Sequence, residues 1–216
     1  MFFLFAQLSF NQLKTGDVIL FGDHRFALKD KYTSTSDFFT HFVQEMLWSV
    51  LIYIYAHPFY HVGMIVDRSD IPSEIKLPKE YIHEKKFILE TRFGQGIRFN
   101  PLSKRLGDRP ERIVVRQLSP VLTRVQKTKF QKALVKFYDT PFENSFWKFL
   151  KDYFFPRKKP NLEHMYCCEI VAEVLKSSGI LDENLYSSSL KPDHFAAKAS
   201  MPFIKPFGLL HEVRLK

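Results

Sequence analysis

The chain has 216 residues, 45% hydrophobic and 25% charged, which excludes an intrinsically disordered chain and suffices for one domain with a buried core. Its formal net charge of +9 favours phosphate-rich partners, including an anionic membrane surface, but no nucleic-acid signature accompanies it: no paired Cys/His finger spacing, no aromatic RNP-like strand, no dense basic helix. The 2 cysteines are adjacent, and because neighbours rarely bridge, a disulfide-built secreted domain is excluded and a reducing compartment, the cytoplasm or a virion, is expected.

In chain order, residues 1–6 (MFFLFA) are apolar but short and lack a basic n-region, so they are expected to belong to the fold rather than to a signal peptide. A turn signal at 13–17 (LKTGD) precedes the apolar run 18–21 (VILF), which reads as a first buried strand bounded by Gly22. Residues 23–40, rich in Ser, Thr and Asp, read as a loop. The stretch 42–60 is apolar and aromatic, but its charge-free part is shorter than the ~20 residues of a spanning helix. A buried or interfacial helix is expected there, serving as core, substrate cover or membrane contact.

A second strand at 61–67 (HVGMIVD) opens on His61, and the Pro-containing, charged segment 69–85 reads as a surface loop. Residues 87–93 (FILETRF), a turn at 94–96 and 97–99 (IRF) form a hairpin, and 112–118 (RIVVRQL) a fifth strand, giving a meander-like order. A helical pattern over 121–138 runs through Val125, Phe130, Leu134, Val135 and Phe137 and ends at Thr140-Pro141. Beyond a second aromatic cluster near 143–160 and the basic run Arg157-Lys158-Lys159 lie the cysteines, then a short helix at 192–197 and a last strand at 209–215. The expectation is one α+β domain over residues 1–216, with aromatic insertions near 38–60 and 143–160. An antiparallel sheet of five to six strands packs against the cysteine-bearing helix.

That helix carries the chemistry. After Cys168, the residues Ile170, Val171, Val174 and Leu175 recur at helical spacing and Gly179 stops the pattern, so both cysteines stand at a helix N-terminus. The partial positive charge there stabilises a thiolate, although a cysteine on a helix is in most proteins a small buried hydrophobe. A thiol hydrolase needs a thiolate, a base and a group that orients the base. Cys167 or Cys168 supplies the first, His61 the second and Glu90, alone among Ile88, Leu89 and Phe93, the third; Arg92 or Arg116 are alternative partners for that acid. His164 with the two cysteines makes too small a set for zinc, so no metal and no cofactor is expected.

The pieces 13–21 (LKTGDVILF), 61–66 (HVGMIV), 89–102 (LETRFGQGIRFNPL), 138–142 (YDTPF) and 165–171 (MYCCEIV) occur in the order seen in the circularly permuted papain-like, NlpC-type thiol hydrolases. The chain resembles most the YiiX-type bacterial proteins and their poxvirus relatives, in which the His comes first, the acid next and the Cys last. The resemblance implies Cys167 as nucleophile behind the aromatic Tyr166, His61 as base, Glu90 as orienting acid, and Tyr166 and Cys168 as substrate-pocket candidates. It also implies a cysteine hydrolase or acyltransferase acting on an amide or ester, lipid-linked or peptide-like. The intervals 21–61 and 142–161 are longer than the pattern. The rival readings are a non-catalytic binding or structural protein on the same fold, and a peptidoglycan-directed peptidase, whose usual wall-binding repeats the sequence lacks.

Overall fold

The computed structural model describes residues 9–22, 59–92, 96–107, 112–142, 163–197 and 201–215, together with positions 148, 151, 155 and 161. The loop expected at 23–40, residues 42–58 of the aromatic stretch and most of the cluster at 143–160 lie outside the described residues. The described chain is α+β, with six antiparallel strands: β1 (Val18–Gly22), β2 (Phe59–Asp67), β3 (Lys86–Arg92), β4 (Gly96–Pro101), β5 (Arg112–Ser119) and β6 (Gly208–Arg214). Three α-helices accompany them: α1 (Leu102–Gly107), α2 (Arg124–Phe137) and α3 (Cys167–Ser177). No helix among the described residues is long and apolar enough to cross a membrane.

The strand order is β4-β3-β2-β1-β5-β6. The first four strands form the expected meander, but β5 does not extend it. The chain returns from β4 through α1 and enters the sheet on the far side of β1. β1 thereby becomes a central strand, and all five of its residues are buried because both faces are covered, which is why it reads as a continuous apolar run. One face carries the main core, where Val18, Leu20, Val62, Met64 and Leu89 meet Phe130 and Leu134 of α2 and Ile170, Val171 and Val174 of α3. The other carries a smaller cluster of Leu13, Ile19, Phe21, Ile65, Ile88, Ile113 and Val115 beneath Leu102 of α1.

α2 starts at a reciprocal capping box: the Gln126 N–H donates to Thr123 Oγ1, and Gln126 Oε1 accepts from the Thr123 N–H. Its buried face is Phe130, Ala133, Leu134 and Phe137. Val125 and Val135, expected on that stripe, are instead 66% and 44% exposed. Val135 lies one residue, about 100° of helical rotation, from Leu134, and only the three-and-four spacing keeps residues on one face.

α3 is almost wholly interior, with every residue from Cys168 to Leu175 buried. It ends where the sequence placed the stop. Gly179 takes φ 71°, its N–H reaches the Lys176 carbonyl and the Ile180 N–H reaches that of Leu175, while Ile180 and Leu175 are both buried. This is a Schellman close, which only a residue tolerant of positive φ completes without strain.

β5 and β6 are joined by Arg116, whose guanidinium donates to the carbonyls of Leu209, Leu210, Phe195 and Ala196 at 2.7–3.0 Å. Arg116 is thus committed to backbone and is not the partner of Glu90. At the sheet's centre, a Cβ at Gly63 would stand 2.6 Å from Ile88 Cγ2 and 3.2 Å from the Leu89 carbonyl oxygen. Gly63→Ala is expected to lose ~1–3 kcal/mol of stability from overpacking, read as a lower urea midpoint. Gly107→Ala, whose Cβ meets nothing within 4 Å, is the control and should leave the midpoint within error.

Candidate active site at the β2–β3 fork

The ladder between β2 and β3 runs from Asp67↔Lys86 to Met64↔Leu89 and ends there, although β2 continues back to Phe59 and β3 on to Arg92. Ile65 exchanges hydrogen bonds with Gly16 and Asp17 on the β1 side. Alternation therefore turns the N–H of Val62, three residues earlier, towards β3, where no ladder partner meets it. The sulfur of Cys167 takes that N–H as its backbone hydrogen bond. The fork admits the start of α3 beside His61 and Glu90.

Glu90 is fully buried, and side chains from three other elements reach it. Its Oε2 lies 2.7 Å from His61 Nε2 of β2, and its Oε1 accepts from Asn100 Nδ2 of β4 at 2.8 Å. Arg105 of α1 places its Nε 3.5 Å from the same Oε1 and lays its guanidinium 4.1 Å above the Phe21 ring. Phe21 faces His61 across the β1–β2 register, with ring centroids 5.5 Å apart. The imidazole is thus held on one side by an aromatic ring and at Nε2 by a carboxylate, which leaves Nδ1 as the nitrogen for Cys167.

Burial opposes a charge on His61, but its hydrogen bonds to Cys167 and Glu90, and the negative charges of both, outweigh burial and raise its pKa from 6.5 to about 9. Cys167 moves the opposite way. The Cys168 thiol beside it does most to hold Cys167 well below the ordinary cysteine range; burial resists, and the His61 hydrogen bond and charge and the Val62 N–H add to the lowering. The two sulfurs are 3.8 Å apart. Burial, then Cys167 itself, Asp193 and Glu169 push the Cys168 thiol up. Cys168 therefore keeps its proton and donates it towards Cys167, and the favoured arrangement is a Cys167 thiolate facing a His61 imidazolium.

Cys167 is the first residue of α3, behind Tyr166, which has an extended backbone and makes no side-chain cap to the helix. Cys167 thus stands at the positive end of the helix dipole. Tyr166 and Cys168, the expected pocket residues, are both buried: Tyr166 packs edge-on against Phe142 with centroids 6.3 Å apart, and Cys168 belongs to the main core. His164 Nδ1 lies 3.4 Å from the Phe142 carbonyl oxygen. Among the described residues no three or more His, Cys, Asp or Glu side chains are grouped as for a metal ion.

Asn100 and Arg105 were missed by sequence reasoning. Asn100 lies within the 89–102 motif and pairs with Ile88, two residues from the Glu90↔Arg98 pair, so a hairpin register drawn from the turn at 94–96 would have placed it beside Glu90. Arg105 carries no local signal, since only the docking of α1 brings it there.

No family model matches the chain, and no curated protein matches it. Among solved structures the chain is similar to the crystal structure of metalloprotein yiiX from Escherichia coli O157:H7, DUF1105. The two are 17% identical, the alignment covers 77% of this chain and 67% of that one, and the TM-score is 0.43.

Iodoacetamide labelling of Cys167 against pH checks the ion pair. The wild type is expected to reach half-maximal rate well below the pH of about 8.5 at which a free thiol titrates. His61→Ala and Cys168→Ala should each move that midpoint upward, while Cys168→Ser, which retains a donor, should move it less. A wild-type profile centred on the free-thiol value would rule the pair out.

Proposed function

We propose that this protein is a cysteine-dependent hydrolase or acyltransferase on a permuted papain-like fold, its one domain spanning residues 1–216, acting on an amide or ester through Cys167, His61 and Glu90. The observation that carries this reading is the continuous chain of contacts at the fork: a buried carboxylate 2.7 Å from an imidazole that hydrogen-bonds a helix-N-terminal cysteine of lowered pKa.

In this reading the Cys167 thiolate attacks the carbonyl carbon, the C–S bond forms and the carbonyl oxygen takes up the negative charge. The Cys167 backbone N–H, at the uncapped start of α3, is a donor for that oxyanion. As the intermediate collapses, the C–N or C–O bond breaks and the amine or alcohol leaves with the proton of the His61 imidazolium. Neutral His61 then takes a proton from water, or from an acceptor nucleophile, which attacks the thioester. The acid or transferred acyl product leaves, and the thiolate–imidazolium pair is restored. Glu90 keeps Nε2 in place and stabilises the imidazolium.

The substrate carrying the acyl group is lipid-bearing or peptide-like in this proposal. The charge of +9 supports a lipid-bearing substrate presented at an anionic membrane surface, and no cofactor takes part. Co-sedimentation with anionic vesicles at low salt, released as salt rises, is expected; absence of binding at low salt removes that preference.

Intact-mass detection of an acyl adduct on Cys167, across a panel of lipid amides, lipid esters and short peptides, tests the activity. Turnover is expected to fall ~10³-fold or more in Cys167→Ala and His61→Ala. Glu90→Gln, which keeps the shape but removes the charge, should lower it by on the order of 10²-fold or more. The rate should rise as pH climbs through the lowered Cys167 pKa and fall again near about 9, where His61 loses the proton the leaving group needs. If no panel member acylates Cys167, the non-catalytic binding protein becomes the better reading.

A further inference from the structure

A cavity of about 440 Å³ opens at the β4 edge of the sheet, lined by Lys76, Leu77, Pro78 and Tyr81 of the β2–β3 connection, Arg98, Phe99 and Asn100 of β4, and Tyr138 after α2. Its aromatic walls are tied into the core. Tyr138 stacks on Phe99 with centroids 5.8 Å apart, Phe99 meets Phe87 edge-on at 6.4 Å, and Tyr81 lies 6.3 Å from Phe87. A pocket pre-formed in this way loses little freedom on filling, and its volume falls within the range of small-molecule sites.

The polar groups give the cavity a sign. Arg98 is pinned over the Tyr138 ring at 5.7 Å and paired with Asp139, which takes up part of its charge. Lys76 is exposed and has no ion-pair partner among the described residues, so a full positive charge stands unneutralised at the wall. Asn100 lines the cavity while its Nδ2 holds Glu90 Oε1, and the Glu90 carboxylate behind it is already engaged by His61 and Arg105. The lining therefore offers a cation and a guanidinium beside flat aromatic faces.

We propose that this cavity binds a phosphoester anion carried on an apolar or aromatic body. The phosphoryl oxygens take Lys76 and Arg98, and the body lies against Tyr81, Phe99 and Tyr138. Cys167, His61 and Glu90 are not part of the lining, and Asn100 is the lining residue that bonds Glu90, so the site goes beyond the proposed hydrolase and does not require Cys167 chemistry. The same headgroup chemistry occurs in soluble phosphomonoesters and in phospholipids, and the two sources are separable.

Phenyl phosphate titrated calorimetrically into the full chain, and sedimentation with phosphatidylglycerol against phosphatidylcholine vesicles, are read for wild type, Lys76→Glu, Lys79→Glu and Cys167→Ser. Lys79 is exposed in the same connection but outside the lining, so it controls for the general field. Lys76→Glu is expected to weaken binding about tenfold or more, and Lys79→Glu by no more than about twofold. Cys167→Ser should bind as wild type does, whether or not the hydrolase reading survives. Selective loss of phenyl phosphate binding identifies a soluble phosphoester, and selective loss on phosphatidylglycerol vesicles alone identifies a lipid headgroup. Equal losses in Lys76→Glu and Lys79→Glu, or no binding of either probe by wild type, overturn the proposal.

Discussion

A carboxylate with no exposed surface is tolerated only when its charge is met from several sides, because the desolvation penalty of an isolated buried ion amounts to several kcal/mol. Glu90 is such a group, and much of the local architecture is what satisfies it. Asn100 must face it across the β3–β4 register, α1 must fold back so that Arg105 approaches, and His61 must project from β2 on the same face. Phe21 completes the arrangement by stacking beneath Arg105 and beside His61, which ties the central strand β1 to the charge network. Removing any one partner would leave part of the carboxylate's desolvation uncompensated, so the constellation is held in place by folding energy as well as by packing.

The parting of β2 and β3 converts this structural network into a chemical one. Had their ladder continued past Met64↔Leu89, the Val62 N–H would be spent on β3 and a neighbouring strand would fill the space beside His61. The fork instead admits a helix N-terminus, so the polar ends of two kinds of secondary structure converge: a freed strand N–H and the uncapped first turn of α3. Both favour negative charge on the same sulfur.

Burial divides the adjacent cysteines into different chemical species. Cys168 faces the core with Asp193 and Glu169 nearby, conditions that keep its proton on, whereas Cys167 is half-buried and faces His61. A protonated thiol 3.8 Å from a thiolate is a donor that cannot compete for the nucleophile's role. In the proposed reaction, the pair that looks redundant in sequence therefore divides into one nucleophile and one positioning neighbour.

The periodicities were legible because they are local. The uninterrupted apolar run of β1, the apolar runs and turn signal of the β3–β4 hairpin, the three-and-four spacing of α3 and its stop at Gly179 each depend on residues a few positions apart. The chain order of His61, Glu90 and Cys167, and the helix-start position of the cysteines, were fixed by sequence in the same way. Tertiary structure decided what contact alone can decide. It placed β5 beside β1 rather than at the end of a meander, gave Arg116 to the β6 carbonyls, turned Val125 and Val135 to solvent, and brought Asn100 and Arg105 to the buried acid. It also gave adjacent Cys167 and Cys168 opposite proton affinities. Those outcomes turn on desolvation and on partners distant in the chain, and neither is encoded in local propensity or spacing.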